Sequence, residues 1–173
     1  MRAIVYNSNT GFSERYAKML SKATGVRAYS VKEAYDQLPK DAPIVYICWV
    51  MGNALVGANK ISRRFYIRAV GAVGLNQGSH AEGAIRDQSG LPNSIPLFLL
   101  PGGLKPEKLS LYHRLLLKFV EKETKRLLKK TAYTRKADVD FLEQLKNGCD
   151  LVEEAHLEDM IDWVRNWKEK KSK

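Results

Sequence analysis

A short polar run follows the first apolar stretch of the chain, and its residue types suit anion binding: Asn7-Ser8-Asn9-Thr10-Gly11-Phe12-Ser13. Ahead of it, residues 2–6 carry Ala3-Ile4-Val5-Tyr6 and read as a strand. Behind it, Ala17, Leu20 and Ala23, with Tyr16 and Met19 beside them, recur at helical spacing, so a helix is expected over 13–22. Strand, polar turn and helix N-terminus together make an anion site, because the first helical N–H groups have no intrahelical acceptor and point outward. Gly11 lets the backbone approach an anion closely, and Ser8, Thr10 and Ser13 each carry a hydroxyl donor. No lysine stands in the loop, unlike G-x-x-x-x-G-K-[ST], and G-x-G-x-x-G is absent as well. Hydroxyls and amides without a lysine suit a terminal phosphate monoester that is held and not transferred, which points to flavin mononucleotide. The same residues also make an N-cap turn that binds nothing, since Ser-Asn-Thr-Gly is ordinary turn chemistry.

The elements that would position this loop alternate along the chain. Strands are expected over 2–6, 26–29, 44–49, 69–75 and 95–100. Helices are expected over 13–22, 31–37, 80–88, 109–128 and 157–167, with a further one after a loop 50–57 carrying Ile61, Phe65 and Ile67. Such alternation predicts an α/β, doubly wound, five-stranded parallel sheet of order 2-1-3-4-5 with helices on both faces. In that order a ligand sits beyond the carboxyl ends of strands one, three and four. Ser8, Asn9, Thr10, Gly11, Phe12 and Ser13 would then hold the phosphate. Trp49, Val50, Met51, Gly52 and Asn53 would frame the flavin ring with Leu75, Asn76, Gln77 and Gly78. Trp49, Met51 and Tyr112 are the candidates to stack on it, with a sheet-core aromatic as the lesser reading of Trp49. Backbone amides near Gly52 and Gly78 would reach the ring edge.

The 173 residues suffice for a single domain, expected over 1–167, with a lysine-rich tail at 168–173. Cys48 and Cys149 form no paired framework and read as reduced thiols. His80, His113 and His156 are scattered without metal-ligand spacing, so no metal site is expected. Met1-Arg2 leads straight into a strand and the longest apolar run is short, so the expectation is a cytoplasmic protein without a signal peptide. The net charge of +10 is unevenly placed: residues 105–136 carry 11 basic side chains against 3 acidic ones. Within 109–128, Tyr112, Leu115, Leu116, Phe119, Val120 and Leu127 group on one side of a helix, and Arg114, Lys118, Lys122, Lys125 and Lys129 form a stripe on another. Two readings stand together: an apolar face laid on the sheet, and a cationic face that is either merely solvated or a docking surface. Lys108, Arg114, Lys118, Lys122 and Lys125 would serve the latter, for an acidic substrate or the inner face of an anionic membrane. Nucleic acid is disfavoured, because aromatics are not interleaved along the stripe.

Two stretches carry a family resemblance. The spacing Ser8-x-Thr10-Gly11-x-Ser13 resembles the phosphate loop of flavodoxins. Leu99-Leu100-Pro101-Gly102-Gly103-Leu104, Lys108-Leu109 and Tyr112-His113-Arg114-Leu115-Leu116-Leu117-Lys118 resemble the region after strand five in the menaquinone-dependent protoporphyrinogen oxidases and their relatives. The ending Gly148-Cys149-Asp150-Leu151-Val152 before residues 157–163 is similar to their closing element. One departure stands out: the oxidases have a long basic insertion between strands four and five, where this chain has only residues 76–93. The resemblance implies FMN as cofactor, a porphyrinogen-type anionic substrate, a quinone acceptor and a place in heme biosynthesis. The alternative within the same fold is a flavodoxin-type carrier that shuttles electrons between redox partners, although such carriers are acidic and this chain has a pI near 9.6.

Overall fold

In the computed structural model, residues 1–75, 81–109, 111–130 and 136–167 are described. They divide into two units, one of residues 1–102 with the C-terminal segment from Val152, the other of residues 103–151.

The first unit is built on a parallel sheet whose strands alternate side chains between two cores. Its strands are β1 (Ala3–Asn7), β2 (Ala28–Ser30), β3 (Pro43–Met51), β5 (Tyr66–Gly74) and β6 (Leu97–Pro101), hydrogen-bonded in the order β2-β1-β3-β5-β6. Counting only these parallel strands, the order is 2-1-3-4-5, the flavodoxin-like doubly wound arrangement that the alternating pattern predicts. Ala3, Val5, Ile44, Tyr46, Cys48, Val70 and Ala72 face one core. There they meet Ala34 of α2 (Val31–Gln37), Ala58 and Ile61 of α3 (Ala58–Ser62) and Ile85 of α4 (Ala81–Ser89). Ile4, Val45, Ile47, Ala69, Val73 and Leu100 face the other, against Phe12, Tyr16, Ala17 and Leu20 of α1 (Phe12–Thr24) and Met160 and Val164 of α7 (Glu158–Asn166). That strict period of two is what sends neighbouring residues of one strand into opposite layers. Gly71 is required for close packing: a Cβ there would meet Leu100 Cδ1 at 3.0 Å, Ile47 Cγ1 at 3.2 Å and Met160 Cε at 3.4 Å.

Local signals set the helix ends. Ser30 accepts from the Glu33 N–H while the Glu33 carboxylate accepts from Ser30 N–H at 2.8 Å, a reciprocal capping box that starts α2. Gly25, at φ 73°, closes α1 with its N–H on the Ser21 carbonyl.

Two expectations change. The helix meant to carry Ile67 ends at Ser62, and Ile67 lies in β5 opposite Ile44, with a bulge at Arg68. The run Tyr66-Ile67-Arg68-Ala69-Val70 is β-branched and aromatic, and its pairing with the central strand outweighs the helical spacing of Ile61 and Ile67. The loop expected over 50–57 is instead a hairpin: β4 (Ala54–Leu55) pairs antiparallel with Val50 and Met51. Gly52 and Asn53, at φ 55° and 65°, make its two-residue turn, the backbone sign that a tight hairpin demands. In the second core α7 packs beside α1; of the apolar face expected within 109–128, Leu115 and Phe119 are exposed, and the side chains of Tyr112, Leu116, Val120 and Leu127 lie outside the description.

The second unit holds a 3-10 turn (Pro106–Lys108), α5 (Leu111–Lys130), α6 (Lys136–Asn147) and a two-stranded antiparallel ribbon of β7 (Gly103–Leu104) and β8 (Cys149–Asp150). Neither α6 nor the ribbon is anticipated by the sequence reading. Gly148, at φ 78°, ends α6 and passes beneath Leu104, where a Cβ would stand 2.7 Å from the Leu104 carbonyl oxygen.

Candidate functional site

Parallel pairing brings the carboxyl ends of β1, β3 and β5 to one edge, with Asn7 opposite Cys48 and Cys48 opposite Ala72. The turn at residues 8–11, the β3–β4 hairpin and Leu75 leave from that edge. Asn76, Gln77 and Gly78 lie outside the described residues.

The phosphate-loop candidates form a tight turn onto α1. Gly11 is the N-cap at φ 97°, a conformation glycine adopts without strain, and its N–H donates to Ser8 Oγ at 3.1 Å. A glycine cap has no side chain to satisfy the first-turn N–H groups, and α1 carries no side-chain cap bond. Nothing lies within 4 Å of where a Gly11 Cβ would stand, so the turn's flank is open. Asn9 is exposed and Thr10 half-buried. Phe12 is 4% exposed and anchors the helix in the core, leaving only its backbone toward an anion. Glu14, the first-turn acid, is engaged by Lys18 at 2.6 Å.

Ser13 is the unusual member. It is the buried polar residue of the turn, 1% exposed, and its Oγ has no hydrogen-bond partner among the described residues. A buried hydroxyl left unpaired costs about 1–3 kcal/mol. Ser13 thus leaves a hydroxyl donor unused at the glycine-capped start of α1.

Behind the turn sits a clamp that sequence reasoning missed. The Asn7 amide donates to the Val56 carbonyl at 3.3 Å, and the Tyr46 hydroxyl donates to the same oxygen at 2.7 Å. Gly57, at φ 84°, passes against both: a Cβ there would stand 2.8 Å from Tyr46 Oη and 3.0 Å from Asn7 Nδ2. Leu55 N–H donates to Ser89 Oγ at 2.9 Å, tying β4 to α4. The hairpin is therefore pinned to the end of β1 next to the turn. An amide on the last residue of a strand and a glycine four residues past a hairpin turn were the available signals. Burial pushes the Tyr46 hydroxyl above its ordinary range, so it stays protonated and donating; burial raises the Cys48 thiol likewise.

Of the ring-framing candidates, Trp49 and Val50 are half-buried strand residues, Met51 is 38% exposed, and Gly52 and Asn53 form the exposed turn. Trp49 pairs opposite Val73, and its carbonyl accepts from Val56 N–H at 3.1 Å. On β6, the Tyr16 hydroxyl donates to the Pro101 carbonyl at 2.6 Å and stands 3.1 Å from His156 Nδ1.

The proposed docking cations lie in the second unit. Lys108 ends its 3-10 turn, and Lys118, Lys122 and Lys125 are exposed on α5, with Lys125 paired to Glu121. Arg114 lies on α5, its side chain outside the description. No group of His, Cys, Asp and Glu suited to a metal is found among the described residues, and none of the described helices is long and apolar enough to cross a membrane. The chain matches no protein-family model, and no curated protein or solved structure proves similar to it.

Proposed function

We propose that the chain is an FMN-binding redox protein of flavodoxin-like architecture, with the phosphate seated on the turn at residues 8–13. The observation that carries this reading is the buried, unpartnered Ser13 hydroxyl at the glycine-capped start of α1. The group fits on three counts. The flank of Gly11 is open, the α1 dipole and first-turn N–H groups favour a negative charge, and Ser13 and Thr10 add hydroxyl donors. Bound there, FMN would supply two-electron or one-electron acceptance at its ring.

The chain's own residues hold and orient. Ser8 fixes the turn through Gly11 N–H. The Asn7–Val56–Tyr46 clamp holds the hairpin that carries Trp49, Met51 and Gly52, the surfaces available to the ring. A resident phosphate offsets the cost of the unpaired Ser13 hydroxyl, so cofactor binding and turn stability support each other.

Residues 99–118 support a finer reading by their resemblance to menaquinone-dependent protoporphyrinogen oxidases: a porphyrinogen-type substrate and a quinone acceptor. Titration of the chain with FMN, followed by anaerobic turnover with protoporphyrinogen and a soluble quinone, tests both levels. Flavin retention with turnover supports the oxidase. Retention without turnover leaves a one-electron carrier, and no retention removes the redox reading altogether.

A further inference from the structure

One face of α5 combines two kinds of exposed side chain that are rarely left together in water. Leu111, Leu115 and Phe119, spaced four residues apart, are 79%, 68% and 61% exposed. At 1.5 Å per residue they form a ridge about 12 Å long. Lys118, Lys122, Lys125 and Arg126 are exposed on the same side of the helix, the arc that residues at i+3, i+4 and i+7 share. The two acids of the helix neutralise only half of its named cations. Glu121 pairs with Lys125 and Glu123 with Arg126, while Lys118 and Lys122 have no ion-pair partner among the described residues.

We propose that this face is a docking surface for an anionic lipid bilayer, independent of the flavin reading. The apolar residues occupy the amino-terminal half of the face and the cations extend toward the carboxyl-terminal half. The helix would therefore lie on the membrane tilted, with Leu111, Leu115 and Phe119 seated at the acyl boundary. Lys118 and Lys122 would reach lipid phosphates, their methylene stems running along the apolar edge.

Charge complementarity selects this occupant. A second copy would bring an equally cationic face against the first. A nucleic acid gains nothing from a leucine ridge. A bilayer needs no shape complementarity and accepts a convex ridge bordered by lysines. None of the described helices is long and apolar enough to cross a membrane, so the contact is peripheral.

The test is cosedimentation of the full chain with vesicles of phosphatidylcholine alone or mixed with phosphatidylglycerol. The expected result is binding to the mixed vesicles at least about tenfold stronger than to phosphatidylcholine alone, falling as salt is raised. Leu115→Ser with Phe119→Ser should weaken it about tenfold without changing retention on a polyanion column. Lys118→Glu with Lys122→Glu should weaken both. Leu111→Ser with Leu115→Ser repeats the test should the first pair misfold, which far-UV circular dichroism reports. Absence of vesicle binding overturns the proposal, and so does binding untouched by either serine pair. Preference for polyglutamate over vesicles assigns the face to an acidic protein and overturns it too. Self-association that the serine pair abolishes assigns it to a second copy, with the same effect.

Discussion

The hydroxyl of Tyr46 donates to the carbonyl of Val56 across 2.7 Å, tying the central strand to the segment that leaves its own hairpin. Asn7 donates to the same oxygen, so β1, β3 and the hairpin meet at one atom beside the turn at residues 8–11. Tyr46→Phe keeps the ring packing and removes the donor. It should cost about 1 kcal/mol in urea unfolding and weaken flavin retention several-fold, as Asn7 is then the remaining side-chain donor to the Val56 carbonyl. An unchanged flavin affinity would separate the clamp from the site.

Ser13→Ala gives opposite signs in the two states. Removing an unpaired buried hydroxyl should stabilise the flavin-free chain by about 1 kcal/mol. The same change deletes the proposed phosphate donor, so FMN affinity should fall about fivefold to tenfold. Paired thermal melts, with and without FMN, read both signs in one experiment.

Gly57→Ala places a Cβ at a left-handed position 2.8 Å from Tyr46 Oη. Backbone strain and the displaced hydroxyl together should cost about 2 kcal/mol or more. Gly52→Ala, also at positive φ but with nothing within 4 Å, should lose only the strain part. Urea midpoints of the two variants separate strain from crowding.

Alkaline pH should unfold the chain early. Burial raises both Tyr46 and Cys48 above their ordinary values, so the folded state keeps protons that the unfolded chain releases. Their contribution is complete below the ordinary thiol and phenol range and is lost as pH climbs above it. Stability should fall by as much as about 1.4 kcal/mol per pH unit for each group above about pH 9. Cys48→Ala should flatten that slope, which urea midpoints at about pH 8 and about pH 10 would measure.

The sheet was legible because its strands are short apolar runs separated by turn residues, and residues 44–49 announce a strand buried on both faces. The end of β3 was not legible in the same way. Gly52-Asn53 reads as loop chemistry, and only the pairing of Val50 with Leu55 turns it into a hairpin. Ile67 was misplaced because an i, i+4, i+6 set of apolar residues serves a helix face and a strand edge equally well. The face of α5 was half legible. Its charge is plain in the sequence, but apolar spacing alone does not show that Leu115 and Phe119 are exposed. Within the turn, hydroxyl types were readable, whereas the burial of Ser13 and its lack of a partner arise only once α1 packs on β1 and β3.

Parallel titration of the chain with FMN and with riboflavin, followed by quenching of flavin fluorescence, tests the central claim most directly. A phosphate held on the residue 8–13 turn predicts FMN binding at least about a hundredfold tighter than riboflavin, from two or more charge-assisted hydrogen bonds. Thr10→Arg, which replaces a small hydroxyl of the turn with a bulky side chain, should erase most of that difference. Equal affinity for the two flavins, or no binding of either, would contradict the account.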